Sequence, residues 1–562
     1  MIRLFCQHKI REQVELEGLW DFVPISANSD EMPDKYGYKL SVPGCWEMHP
    51  HFLKFRGRGA YRRVIDIEEK SDLKFTFKGV SHTADVYFDG KHIGHHYNAF
   101  TEFSAVVPQV EAGTHELLVI VDNSFSESSA LHVPNDYYTY GGIIRPVVME
   151  KVKEVYIDRT EFVPSFEKGS WNAEVSVILK NYGKTENEIY IKGKLAGKDL
   201  EFGTATVAAE SELRVTKTFE FSNVKPWSNE NPQLYMLELH LFGSNADKPF
   251  DDYIDRVGFR TVKVEGQKLL INGNEVKLRG FNRHEDHSIF GAAIPFQAMA
   301  NDLDIIMDLG ANTVRTCHYP NDERFLDLCD ERGIYVWEEN HARGLSLKQM
   351  QNPNFEKQCE DCNREMVHYH FNHPSIIIWG ILNECCSFTE EGRAYYKKQL
   401  SQIRDMDKSR PLTFASCHPF RDMCLDLVDI VSFNIYSGWY NSDNTLEHYE
   451  KFYEWVKTAG GNNKPIIVSE FGAGAIYGLR EPTRVKWSEE RQADILEDNL
   501  SVYCTRPEIV GTIIWQFCDC RVTEEGDWFK SRPGTRNNKG IVDKYRRPKL
   551  AYGTVQKWYK KG

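Results

Sequence analysis

The chain has 562 residues, a formal net charge of −13 and 41% hydrophobic residues, a globular composition long enough for roughly two to four domains. The acidic balance argues against nucleic acid or an anionic membrane surface as the main partner, and no apolar run reaches the ~20 residues that a membrane span needs. The N-terminal stretch MIRLFCQHKIREQVELEG has neither a long apolar core nor a small-residue cleavage site, so no signal peptide is read there; the 13 cysteines, odd in number and without framework spacing, fit reduced thiols in a cytoplasm.

Residues 1–155 read as all-β. LKFTFKGV and TADVYFDGKHIGHH alternate apolar and polar residues at period two, with Asp89-Gly90 as a tight turn, and HELLVIVDN follows as a further strand. The pattern predicts a jelly-roll β-sandwich. Residues 156–262 repeat the theme through AEVSVILKN, EIYIKGKL, ELRVTKTFEF and MLELHLFG, the spacing of an immunoglobulin-like sandwich interrupted by the turn KPWSNENPQLY. Residues 263–562 change character. After a hairpin at Asn272-Gly273, short apolar strands alternate with helical stretches such as FQAMANDLDIIMDLG. Eight strands are read: VKLRGFNR, ANTVRTCH, IYVWEEN, IIIWGILNE, LTFAS, DIVSFNIY, PIIVSEF and GTIIWQF. Eight βα units predict a (β/α)₈ TIM barrel, whose chemistry lies where the strands end. Cys359 and Cys362 form one CxxC with no second pair, and read as ordinary half-buried thiols.

The strand ends collect carboxylates, histidines, amides and aromatic rings. Glu384 and Glu470 each directly follow an apolar strand, the fourth and the seventh, which face one another across such a barrel. Two carboxylates on opposite walls can flank one glycosidic bond. One, protonated, gives its proton to the leaving oxygen; the other, ionised, attacks the anomeric carbon, and a separation near ~5 Å gives retention. Trp515, Tyr436 and Tyr440 are candidate walls for a sugar ring, and Asp286, His318 and Asn434 candidate readers of its hydroxyls. Core packing is the rival reading for Trp515, and a satisfied structural imidazole that for His318.

GFNRHED, NTVRTCHYP, HPSIIIWGILNE, NIYSGWY, SEFG and IIWQF, in this order, resemble glycoside hydrolase family 2, as do LEGLWDF, YGGIIRPV and KPWSNENPQLY nearer the N-terminus. The resemblance covers essentially the whole chain. It implies a jelly roll, an immunoglobulin-like domain and a catalytic barrel, with Glu384 as acid/base, Glu470 as nucleophile and Asn383 on the hydroxyl beside the anomeric carbon. It implies no cofactor and no metal, although some galactosidases of the family use magnesium. In the family's β-glucuronidases an Asn-x-Lys motif binds the sugar's C6 carboxylate; here it is Asn537-Asn538-Lys539, within TRNNKGIV.

The expected function is therefore a retaining exo-β-glucuronidase acting on small-molecule or oligosaccharide glucuronides, cytoplasmic, with no nucleic-acid or membrane partner and, by analogy with enzymes of this build, a homo-oligomer. The alternatives are a β-galacturonidase or dual-specificity hexuronidase, then a β-galactosidase or a non-catalytic carbohydrate-binding protein. The chain departs from the family pattern at Cys385, where proline is usual, at Ser469, where threonine is common, and at Pro533, where glucuronidases carry an arginine; Arg532 and Arg536 are close but out of register. The short connection from Gly344 to about Phe355 predicts an open mouth. The N-terminal domain is expected to serve packing and oligomer contacts.

Overall fold

The computed structural model describes residues 2–26, 32–244, 246–524 and 531–561. The N-terminal part is a sandwich of a four-stranded and a six-stranded antiparallel sheet. Its alternating strands turn Trp20, Phe22, Tyr61, Leu73, Phe75, Phe77 and Val119 into one core. At the predicted hairpin, Asp89 and Gly90 both take positive φ, 47° and 75°, the left-handed pair that matches the twist of a two-residue turn. The second sandwich pairs a three-stranded with a four-stranded sheet around Val175, Val177, Ile191, Leu239 and Phe259.

The barrel strands are Leu278–Asn282, Thr313–Thr316, Tyr335–Glu339, Ile376–Gly380, Leu412–Thr413 with Ala415–Ser416, Val431–Asn434, Ile466–Glu470 and Ile509–Ile514. They pair in parallel, and the ring closes through the fifth, whose two pieces pair with the fourth and the sixth on either side of Phe414. Each of the eight apolar runs read from the sequence becomes one of these strands. Between the fifth and sixth the chain makes only a 3₁₀ turn, Leu425–Leu427. Outside the ring, helices start where side chains cap them: Asp322, Thr389, Asn444 and Ser488 each accept a backbone N–H of the first turn. Cys359 and Cys362, read from the sequence as half-buried, are fully buried thiols on the helix Phe355–His370. No helix among the described residues is long and apolar enough to cross a membrane.

Two features fix the sandwiches to the barrel. Trp227, from KPWSNENPQLY, is fully buried with Tyr335, Trp337 and Ile378, and its indole donates to the Asp330 carbonyl at 2.8 Å. Arg145, from YGGIIRPV, donates to Glu285 and to the Pro320 carbonyl, both at 2.7 Å. The second contact holds the N-terminal sandwich over the face where the barrel strands end.

Candidate active site

The chain leaves the fourth strand through Leu382 and Glu384, both at positive φ, 45° and 53°. Left-handed backbone costs a side-chain-bearing residue about 1–2 kcal/mol, and such strain gathers at functional sites. It is held here by Leu382 N–H on the Asn340 side chain at 3.0 Å and Glu384 N–H on the Ala415 carbonyl at 2.9 Å. The result aims the Glu384 carboxylate into a cleft of about 330 Å³ lined also by Asp136, Arg343, Asn434, Tyr436, Tyr440, Glu470, Trp515, Arg532 and Lys539.

Glu384 and Glu470 have different surroundings. Glu384 accepts from the Asn434 amide at 2.8 Å and pairs with Arg343 at 3.1 Å. Glu470 accepts from the Tyr436 hydroxyl at 2.7 Å and from Arg315 at 3.0 Å. Burial, and then repulsion from Glu384, push the Glu470 carboxyl up to about 7, against the pull of Arg315, Tyr436 and Arg343. The two carboxylates thus sense one another, as groups flanking one bond must.

Arg315 organises the floor. It is fully buried and donates to both oxygens of Glu339 (2.9 and 2.8 Å), to Asn282 (2.8 Å) and to the Asn383 side-chain oxygen (2.7 Å). That last bond orients the Asn383 amide and leaves its NH₂ buried with no protein acceptor among the described residues, an unused donor at the end of the fourth strand. His318 is fixed similarly. Its Nδ1 meets Glu339 at 2.8 Å, its ring stacks on Trp515 at 5.1 Å, and its Nε2, without a protein partner, lies 3.9 Å from Glu470. Burial drives its pKa well below the ordinary imidazole value, so the ring is neutral.

The far end of the cleft carries the cations. Lys539, only 1% exposed, lies 3.2 Å from the Asn537 side-chain oxygen and between the Tyr436 and Tyr440 rings, at 5.9 and 5.6 Å. Among the described residues it is paired with no carboxylate. Arg532 instead makes a two-pronged pair with Asp136, at 3.0 and 2.6 Å, and reaches the Tyr440 hydroxyl at 3.3 Å. The Asn537 NH₂ also donates to Asp136, at 2.9 Å. Against burial, Lys539 and Arg532 lower the Tyr440 phenol's pKa.

Of the residues read from the sequence, Glu384, Glu470, Asn434, Tyr436, Tyr440, Trp515 and Lys539 line the cleft, with His318, Asn383 and Asn537 packed directly behind them. Asp286 does not join them. One carboxylate oxygen accepts from the Tyr140 hydroxyl at 2.9 Å and the Arg521 N–H at 3.2 Å, tying the barrel to the N-terminal sandwich; the other is buried with no protein partner among the described residues. Asn537 serves first to orient Lys539 and Asp136. Two charged residues of the cleft, Asp136 and Arg343, are not among those read from the sequence. Asp136 comes from the N-terminal sandwich, which therefore contributes to the site as well as packing on it, and Arg343 comes from the loop after the third strand. Arg532, although out of register with the family's arginine, reaches the cleft beside Lys539. Two other groups have metal-ligand chemistry: His284 with Cys317 and His318, and Asp327 with Asp330 and His373. In the second, Arg3 already occupies Asp327 and His373 already occupies Asp330.

Comparison with known proteins agrees with this geometry. The model for the TIM barrel domain of glycosyl hydrolases family 2 matches residues 262–561, and a second model of glycosyl hydrolases family 2 matches residues 155–260. A β-galacturonidase from Eisenbergiella tayi, solved bound to galacturonate, is 46% identical, with a TM-score of 0.95 over 100% of this chain and 99% of its own. A β-glucuronidase from Streptococcus agalactiae is 27% identical over 96% of this chain and 95% of its own length. The β-glucuronidase of the dog, Canis lupus familiaris, is 31% identical over 75% of this chain and 64% of its own length.

Proposed function

The chain belongs to glycosyl hydrolase family 2 and is a glycoside hydrolase; from that premise we propose that it is a retaining, exo-acting β-hexuronidase that releases β-D-galacturonate ahead of β-D-glucuronate. The observation that carries the uronate reading is Lys539: a buried ammonium facing a sugar-sized cleft, paired with no carboxylate among the described residues. A uronic acid C6 carboxylate supplies the missing anion. A galactoside brings only a neutral hydroxymethyl group to that position and leaves the cation unpaired. The exo reading is supported by Lys539 and the Asp136–Arg532 pair, which line the same cleft as the two glutamates and would hold the C6 group of a terminal sugar. The preference for galacturonate rests on the 46% identity, over the full length, with an enzyme of that printed specificity, against 27% and 31% for the two glucuronidases. Those two relatives favour the second reading, in which glucuronide leads.

In the proposed mechanism the carboxylate docks on Lys539, and the Asn383 NH₂ takes the hydroxyl beside C1. Glu470 attacks C1 as Glu384 gives its proton to the glycosidic oxygen. The C1–O bond breaks, the aglycone leaves as an alcohol, and a glycosyl ester on Glu470 remains. Glu384, now a base, takes a proton from water, whose oxygen attacks C1 and frees the carboxylate. Arg315 and Tyr436 hold Glu470 in line.

The test is hydrolysis of nitrophenyl β-galacturonide, β-glucuronide and β-galactoside side by side, with Lys539→Ala beside the wild type and the first-formed anomer read by NMR. A hexuronide should lead, the lysine variant should lose it, and the β-anomer should appear first. A galactoside leading, or a wild-type-like lysine variant, would overturn the uronate reading; an α-anomer first would overturn retention.

A further inference from the structure

Lys539 has a second lysine behind it. Lys549, from the segment just before the C-terminal helix Ala551–Tyr559, is 2% exposed, and its ammonium is saturated. It donates to the Asp519 carboxylate at 2.7 Å, the Ala475 carbonyl at 2.8 Å and the Asn538 carbonyl at 3.1 Å. An ammonium has three donors and no acceptor, so none is left for a substrate. The same Asp519 oxygen accepts the Gly540 N–H at 2.9 Å. The pair therefore grips the backbone immediately before and immediately after Lys539.

The surroundings admit little slack. The Asn538 carbonyl also accepts the Ala475 N–H at 2.8 Å, and the Lys539 carbonyl accepts the Gln516 N–H at 3.1 Å. The Gln492 amide donates to the Gly540 carbonyl at 3.1 Å. At Gly540 a Cβ would lie 2.3 Å from both the Asp519 nitrogen and the Val542 oxygen, so the chain can pass there only as glycine. Ala475 follows the seventh strand, which carries Glu470, and Asp519 follows the eighth. Lys549 thus ties the loop bearing Lys539 to the same two strand ends that carry the nucleophile and Trp515.

We propose that Lys549 and Asp519 are positioning residues for the substrate's carboxylate: a buried ion pair that sets where the Lys539 ammonium stands relative to Glu470. This rests on the reading of Lys539 as the uronate-binding cation. A group that only stabilises the fold would change the amount of active enzyme; a group that positions Lys539 changes affinity for the carboxylate-bearing substrate.

The test is a double-mutant cycle on KM, which does not depend on how much of the preparation is folded. One arm is Lys549→Met with Asp519→Asn, which leaves no unpaired buried charge and keeps an acceptor for Gly540. The other arm is Lys539→Ala. Both are made in the full chain, singly and combined, and assayed on the better nitrophenyl hexuronide, with Asp519→Asn alone as a second variant that keeps Lys549 on its two backbone carbonyls. The neutralised pair should raise KM about tenfold, a modest misplacement by the usual scale, with kcat per titrated active site within about threefold. In the Lys539→Ala background it should add almost nothing. Additive effects in the two backgrounds, or an unchanged KM in the neutralised pair and in Asp519→Asn, overturn the proposal. An unchanged KM in Lys539→Ala alone overturns instead the uronate reading beneath it.

Discussion

Arg532 of the barrel and Asp136 of the N-terminal sandwich, 396 residues apart in the chain, form a two-pronged ion pair with a closest approach of 2.6 Å at the end of the active-site cleft. The sandwich thus contributes a charged residue to the lining of the cleft. Because Arg532 and the Asn537 amide share the Asp136 carboxylate, this one group also sets the two residues that flank Lys539.

Asp136→Asn tests that role. The change removes a buried anion and breaks the Arg532–Asp136 ion pair; breaking a buried pair typically costs about 3–5 kcal/mol of stability. Activity should fall further than stability predicts. We expect a loss in kcat/KM of about a hundredfold at a temperature where the variant is fully folded by circular dichroism, as when reacting groups are displaced by about an ångström. Activity within a fewfold of wild type would mean that the N-terminal loop only covers the site.

The pH dependence follows from Glu470. In the proposed mechanism Glu470 must be ionised to attack, and burial with the repulsion of Glu384 raises its carboxyl to about 7. The acidic limb of kcat/KM, which reports the free enzyme, should therefore fall below a midpoint near 7. The Tyr436 hydroxyl, at 2.7 Å, favours the charged form, so Tyr436→Phe should move that midpoint upward by up to about one unit and lower the rate at neutral pH. A limb that stays in place in the phenylalanine variant would remove the phenol from this role.

The division of labour between the glutamates is separable by rescue. Glu384→Ala should slow aglycones that are poor leaving groups far more than activated nitrophenol, since only the former need the proton. The variant should also accumulate glycosyl-enzyme, because no base remains to activate water. Azide, which needs no base, should restore turnover and give the β-glycosyl azide. Rescue giving instead the α-azide, or equal losses across leaving groups, would contradict the assignment of Glu384 as acid/base in a retaining enzyme.

What could be read from the chain was whatever is local. The barrel is legible because apolar runs alternating with helical stretches bury both faces in a parallel sheet, and eight such units are the count of a closed barrel. Glu384 and Glu470 stood out because each ends such a run. Lys539 was recognisable through a three-residue motif. Asp136 was not, because its meaning comes from Arg532 and Asn537, about four hundred residues downstream. Arg343 sits alone in a loop, where no periodicity marks it. Asp286 stands outside the cleft lining for a related reason: in His284-Glu285-Asp286 successive side chains diverge at the strand end. His284 packs edge-on to Trp515, Glu285 pairs with Arg145 and Asp286 bonds Tyr140. A motif names the three together; the backbone sends each to a different partner.

The raised carboxyl of Glu470 also has a stability signature, with a definite sign. In the unfolded chain this group titrates near its ordinary 4.5; in the folded protein it titrates near 7. Between those values the folded state holds a proton that the unfolded state has lost, so stability falls as pH rises through that window and the deficit is complete above it. The shift corresponds to about 3 kcal/mol. Glu470→Gln keeps the shape and cannot ionise, so it escapes the deficit. Thermal unfolding of the two proteins at pH 4.5 and at pH 8 should show similar stability at the lower value and a more stable glutamine variant at the higher one. A gap that does not change with pH would mean that the nucleophile is ionised without penalty, and that the acidic limb of activity belongs to another group.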